Sequence, residues 1–576
     1  MLRRTKPAAY EHRSLEPAVT AALLACLAAA LCSAIITFVL FAPEGWRADG
    51  PFRADLFFVL RQIVRNIQLG GLSGSIDDTL HDLRARFDLY NEIAWRIHAI
   101  GASAVAALLF VGVRTYRRTR YVDTRTHHAG LQFWAGRAGT SSAVEFLASE
   151  VKEHGTSIRL APKIWLPKMR ELRNLLLVGA PNSGKTRIIL FWLNEILGRL
   201  REHPHERLLV HDTTGEILRG MPVADDAIAA FHPTKKGGYA WVPGRDVQSM
   251  TSAIALATRL VASDGTTQSD NRVFDKGGVT ILTGCIAQTR ATRGPNWSFA
   301  DLLNTLLGDP VAWKEGFAQV YPPAAALVLI DADGTLNRTT ASFILSVRAH
   351  VMQLLDPLAR AWGTAPPERQ FSFLDWIEGK KQGQPAIVVL QRSAANPALS
   401  ALWIGAIVDL LASHACDESF NPDKSMRIRF VLDEIHQLGP LPRLQEILDV
   451  GRNKGVSVVA ALQDMTQLRR TYGADGAKEF LGRFATKIVG QAQIGPDADE
   501  LAASFVGTRE IMPKRAASNN ATELDKEPEP RTVGIVRPEY LAYDLGANDE
   551  EVCAIALGIG DVVELSWPTT VWEPRR

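Results

Sequence analysis

Gly179-Ala-Pro-Asn-Ser-Gly184-Lys185-Thr186 leaves this chain few folds to choose from. A short apolar run, Asn174–Val178, comes just before it, and Ile188, Ile189, Phe191, Trp192, Ile196 and Leu197 set a helical pattern behind it. A GxxxxGK[ST] loop between strand and helix belongs to an α/β layer built around a buried strand. Its glycines let backbone N–H groups converge on phosphate oxygens, and the helix N-terminus adds its dipole. Gly179, Ala180, Pro181, Asn182, Ser183, Gly184, Lys185 and Thr186 are therefore the expected ATP-binding loop. Within it Lys185 reaches the β- and γ-phosphates and Thr186 takes Mg²⁺.

A second motif, Ile428-Arg-Phe-Val-Leu-Asp433-Glu434, is an apolar strand ending in two acids. Beside a phosphate loop, Asp433 is expected to hold Mg²⁺, and Glu434 to polarise the attacking water as general base. A third block runs from Gly451-Arg452 through the buried strand Val456–Leu462 to Gln463. Gln463 is either a reporter of the γ-phosphate or an amide capping a strand. Arg452 is either exposed at a subunit edge or an ordinary surface arginine. Asp212 and Glu216, in Asp-Thr-Thr-Gly-Glu, stand at the end of the strand Leu208–Asp212 and either cap structure or line the site. Further strands are expected at Ala386–Gln391, Thr486–Gly490 and Val562–Ser566, which implies a mostly parallel sheet covered on both faces.

Lys185 and Asp433 lie 248 residues apart, more than two or three strand–helix–strand units of about thirty residues fill. An inserted all-α domain is expected at 248–370, with helices at Ser252–Leu260, Lys276–Ala287, Ala300–Leu307 and Ala341–Trp362. The nucleotide-binding domain then comprises 114–247 and 371–576, and Lys514–Arg531 reads as a mobile polar loop.

Ala18–Ala42 is a run of 25 residues without a charge, longer than the roughly 30 Å hydrocarbon layer needs at 1.5 Å per residue. A signal peptide is the alternative, but its apolar region is usually about 7–15 residues. A second run, Ile97–Val113, carries only His98 as an ionisable group, with Trp95 and Tyr116 at its ends; a buried soluble helix is its alternative. Arginine and lysine cluster before the first run and after the second. By the positive-inside rule, 1–17 and the chain from 114 onward face the cytoplasm. Two transmembrane helices, 18–42 and 97–113, then enclose a periplasmic loop, 43–96, with helical periodicity at Leu56–Leu69 and Ile76–Ile97. Lys+Arg is 64 against Asp+Glu 62, so any nucleic-acid contact must come from a local basic surface. The five cysteines include no CxxC pair, which leaves zinc and redox motifs unsupported.

With GAPNSGKT (179–186), HDTTGE (211–216), VLDEIHQLGPLPRLQEIL (431–448) and GRNKGVSVVAALQDMTQL (451–468), the chain resembles the type IV coupling proteins, the TraD-like ATPases of conjugative DNA transfer. The resemblance covers about residues 170–570 and implies a RecA-like core, an inserted all-α domain and a homo-hexameric ring in the bacterial inner membrane. It also implies that single-stranded DNA is received with its relaxase and passed to the type IV secretion channel. By motif match Arg452 falls on the family's trans-acting arginine and Gln463 on its sensor. Thr213 and Thr214 stand where many relatives carry Pro-Lys, so no role is carried over to them. The last expected strand lies ten residues from Arg576, so the long acidic tail of some TraD proteins is not expected. A protein-effector coupling ATPase, an FtsK-like segregation translocase and a scaffold with a decayed ATPase are the rivals. Intact Gly184, Lys185, Thr186, Asp433 and Glu434 argue against decay.

Overall fold

The computed structural model describes residues 23–34, 98–111, 127–261, 272–380, 383–422, 427–511 and 530–574. The expected helices Leu56–Leu69 and Ile76–Ile97 lie outside these residues, as does the loop Lys514–Arg531 up to residue 529. Two compact units are present: Met1–His128 with Ile511–Arg531, and Ala129–Glu510 with Thr532–Arg576.

In the first unit, α1 (Leu23–Ala34) and α2 (His98–Val111) are short apolar helices. Leu23, Leu24, Leu27 and Leu31 of α1 and Val105, Leu109 and Phe110 of α2 are exposed. Cys26 Sγ donates to Leu108 O at 3.4 Å, so the two helices touch.

The second unit is built on one sheet of eleven strands. Ten are β1 (Phe133–Trp134), β2 (Leu175–Val178), β3 (Arg207–Asp212), β4 (Ile228–Phe231), β5 (Ile387–Gln391), β6 (Ile428–Leu432), β7 (Val456–Leu462), β8 (Thr486–Val489), β9 (Glu551–Leu557) and β10 (Val562–Pro568). Their order is β1-β10-β9-β8-β2-β7-β6-β3-β5-β4, with the short strand Gly546–Ala547 beside β9. From β8 to β4 every pairing is parallel, so the C-terminal ends of these strands share one edge. β6 and β7 are buried at every position, the continuous apolar pattern of a strand covered on both faces. Side chains alternate along β2: Leu175 and Leu177 pack on one side, Leu176 and Val178 on the other. β9 and β10 pair antiparallel, and β9 with β8, so one flank of the sheet departs from the parallel expectation.

α3 (Lys185–Glu202) follows β2, and the short α4 (Glu216–Gly220) follows β3. Between Asp246 and Ser372 the described residues are mostly helical: α5 (Met250–Val261), α6 (Arg272–Arg293), α7 (Phe299–Leu307), α8 (Pro310–Val320), α9 (Pro322–Leu327) and α10 (Arg338–Trp362). α8 and α9 are additional to the expected helices. Each opens on a proline, which suits the first helical position because its missing N–H has no partner there anyway. The ends of this stretch are held by Asp246, which is buried. It accepts from Trp241 Nε1 (2.8 Å), Ser372 Oγ (2.5 Å), Phe373 N (2.9 Å) and Leu374 N (3.2 Å).

α11 (Pro397–Cys416) is the one described helix long and apolar enough to cross a membrane. About two thirds of it is buried inside this unit, however, and it packs against α12 (Pro442–Val450) as a core helix. α13 (Met465–Gly482) follows β7 and kinks at Gly473 (φ 77°).

Candidate nucleotide site

The parallel strands bring their C-terminal loops to one edge, where ligands bind in such sheets. The loop after β2 turns on two left-handed residues, Asn182 (φ 62°) and Gly184 (φ 91°). It is anchored by Gly179 N to Leu462 O (3.2 Å) and Ala180 N to Gln491 O (2.7 Å), so β7 and the chain after β8 set its position. Gly184 has no space for a side chain, since a Cβ there would stand 2.6 Å from Val552 Cγ1 on β9. Pro181 and Asn182 are exposed, while Ser183 and Lys185 are buried and Thr186 half-buried in the first turn of α3. Ser183 Oγ is buried without a hydrogen-bond partner.

Lys185 Nζ donates to the loop's own carbonyls, Gly179 O (2.7 Å) and Ala180 O (3.1 Å). It lies 3.8 Å from Glu434 Oε1 across 249 residues of sequence. Burial lowers its pKa against the opposing pull of Glu434 and Asp433. Asp433 and Glu434, at the end of β6, are both buried, and Glu434 takes a left-handed turn (φ 52°) that aims the pair at the loop. Burial, then the neighbouring Glu434 charge, pushes the Asp433 carboxyl up to about 7, while Lys185 pulls it down. Burial also raises Glu434, with Lys185 and then the Gln463 side chain holding its charge. Gln463 is half-buried at the end of β7, in polar contact with Glu434.

Asp433, Glu434, Asp212, Lys185 and Gln463 therefore share one edge. Asp212 is a buried cap there: it accepts from Gly215 N (2.9 Å) and Leu218 N (2.9 Å), satisfying the first turn of α4. Glu216 is exposed on that turn. Arg452 is not part of the cluster. It lies exposed on the turn Gly451–Lys454, at the opposite end of β7 from Gln463, about 20 Å along the strand.

Three polar groups at this edge carried no role in the sequence. Thr213 Oγ1 donates to Asp433 O at 3.2 Å. His436 Nδ1 lies 3.3 Å from Glu434 Oε2; a histidine two residues beyond the paired acids was the available signal. His211, opposite Leu432 in the sheet, is held neutral by burial, down at about 4.

The donor set fits a magnesium nucleotide. Glycine turns leave converging N–H groups, Ser183 Oγ and Glu434 Oε2 are buried without hydrogen bonds, and clustered acids face a single lysine.

The type IV secretion-system coupling protein DNA-binding domain family matches residues 159–528. Coupling protein TraD of Escherichia coli (strain K12) is 24% identical over 361 residues, 60% of this chain and 46% of that protein. The chain thus matches about half the length of that curated relative. Among solved structures, unbound bacterial conjugative coupling protein TrwBΔN70 superposes with a TM-score of 0.62 at 17% identity, covering 78% of this chain and 96% of that one. TrwB in complex with ADP and Mg²⁺ gives 0.60 at 17% identity, covering 79% and 97%. These likenesses establish the fold, a mixed α/β architecture shared with TrwB.

Proposed function

The chain belongs to the type IV secretion-system coupling proteins, and from that we propose that it is an ATP-hydrolysing motor of the bacterial inner membrane. It receives the relaxase-bound single strand of DNA and drives it into the conjugative secretion channel. The observation that carries this reading is the buried Asp433–Glu434 pair facing Lys185 on the phosphate loop, with 3.8 Å between Lys185 Nζ and Glu434 Oε1. The complex of TrwB with ADP and Mg²⁺ supports ATP and Mg²⁺ as the ligands.

The backbone from Gly179 to Gly184 and the α3 N-terminus hold the phosphates, and Lys185 leaves the carbonyls of Gly179 and Ala180 to pair with them. Thr186 and Asp433 hold Mg²⁺. Bound Mg·ATP supplies the scissile phosphoanhydride and a cation that offsets charge on the phosphate oxygens. Glu434 orients water and accepts its proton, and Gln463 steadies the Glu434 carboxylate. Arg452, too far from its own phosphate loop, completes the site of a neighbouring subunit in a homo-hexamer.

The exposed leucines of α1 and α2 support a two-span anchor, 18–42 and 97–113, with both termini in the cytoplasm and 43–96 outside. The helices between Met250 and Trp362 support reading 248–370 as an all-α domain inserted in a RecA-like core formed by 114–247 and 371–576.

The test is ATP hydrolysis by the purified chain with and without single-stranded DNA, beside Lys185→Ala. Hydrolysis that DNA stimulates and Lys185→Ala abolishes is expected. Full hydrolysis by Lys185→Ala refutes the motor. A DNA-indifferent wild-type rate points to protein effectors as the cargo.

A further inference from the structure

Arg259 leaves α5 in the helical insert and sets its half-buried guanidinium against the nucleotide core. Nη2 donates to Leu438 O and to Ala401 O (3.2 Å), Nη1 donates to Pro440 O, and Nη1 lies 3.5 Å from Asp409 Oδ2. Leu438 and Pro440 lie four and six residues beyond Glu434. Asp409, on α11, also accepts from Arg443 N (3.3 Å) and from Leu444 N at the start of α12, the helix that runs into Gly451-Arg452. Between these points Leu441 N donates to Tyr472 Oη (3.2 Å) on α13, which follows Gln463.

The surroundings are shaped to this one side chain. A Cβ on Gly405 of α11 would run into the guanidinium. Gly439 takes a left-handed turn (φ 68°) between the Leu438 and Pro440 carbonyls that Arg259 binds. Only the planar fork of arginine presents several donors in fixed directions; a lysine ammonium in the same place is a single point. The residues from 435 to 451 are one stretch of chain joining Glu434 to Arg452; Arg259 grips it at residues 438 and 440, and Asp409, beside Arg259, accepts from it at 443 and 444.

We propose that Arg259 is a positioning residue through which the helical insert sets the placement of Glu434 and Arg452. A shift of α5 under load on the insert moves the gripped carbonyls, and with them both ends of the stretch. The inference rests on the hydrolytic reading of the site given above.

The experiment measures steady-state ATP hydrolysis by the full chain in detergent, with and without single-stranded DNA, for wild type, Glu434→Gln, Arg259→Lys, Arg259→Met and Gly405→Ala. Gly405→Ala leaves the arginine in the chain and displaces its guanidinium. The Arg259 and Gly405 variants are expected to keep KM for ATP within about threefold while kcat falls at least about tenfold. The stimulation by DNA should fall toward none. A kcat within about twofold of wild type in all three overturns the inference. So does a kcat that falls only in proportion to the folded fraction, including failure to fold, since Arg259 is then a structural rivet. A wild-type rate in Glu434→Gln removes the hydrolytic premise, and the inference with it.

Discussion

Glu434→Gln is expected to separate nucleotide binding from hydrolysis. The substitution keeps the size of the side chain and imposes no new backbone demand at φ 52°. At 3.8 Å, an effective dielectric of about 20 gives a gross Lys185–Glu434 attraction of about 4 kcal/mol. Burial opposes it, and burial is the largest influence on Glu434, raising its pKa. Lys185 keeps Asp433 as a partner, and Asp433 loses the like charge that pushes it up. Affinity for Mg·ATP should therefore stay within about threefold or tighten. Removing a general base should slow hydrolysis roughly 10²–10⁴-fold, about 3–5 kcal/mol in the barrier. Equilibrium binding of a fluorescent ATP analogue and steady-state phosphate release, on the same preparation, read the two effects separately. Binding weakened tenfold or more, or hydrolysis within about threefold of wild type, refutes the assignment of Glu434 as base.

Arg452→Ala should bind ATP but lose hydrolysis, by roughly 10³–10⁵ if it acts as an arginine finger, and mixing with Lys185→Ala subunits should restore some activity. Mixtures that co-assemble and stay dead exclude the trans role. A reporter fused after residue 75 should be active outside the cytoplasm and one after residue 125 inside; cytoplasmic signal at both removes one span. His211 ionises near 4 when folded, against 6.5 when exposed, so the unfolded chain binds the extra proton between those values. Its contribution to stability is therefore lost as pH falls from about 6.5 to about 4, by up to about 3 kcal/mol. Denaturation across that range should show the stability of wild type minus that of His211→Leu falling by up to this amount as pH drops, and a pH-independent difference contradicts it.

The phosphate loop is legible in sequence because its demands are local: glycine where φ is positive at residue 184, a lysine, a hydroxyl, an apolar strand before and a helix behind. β6 and β7 are legible for a related reason, since a strand covered on both faces is apolar at every position. β9 is not, because its neighbours belong to a flank of the sheet where pairing turns antiparallel, and pairing is a property of two segments. The apolar helix α11 meets every local criterion of a membrane span, and only its burial inside the unit distinguishes it. In sequence Asp212 is either cap or site residue, and its capping of Gly215 N and Leu218 N becomes visible only in the fold. Arg259 reads as one arginine on an amphipathic helix, and its acceptors lie at least 142 residues away in the chain. Composition and spacing determine which groups a local turn or strand can present. Whether those groups meet, and in how little water, depends on contacts between distant segments, and those contacts push Asp433 up to about 7 and set Lys185 against Glu434.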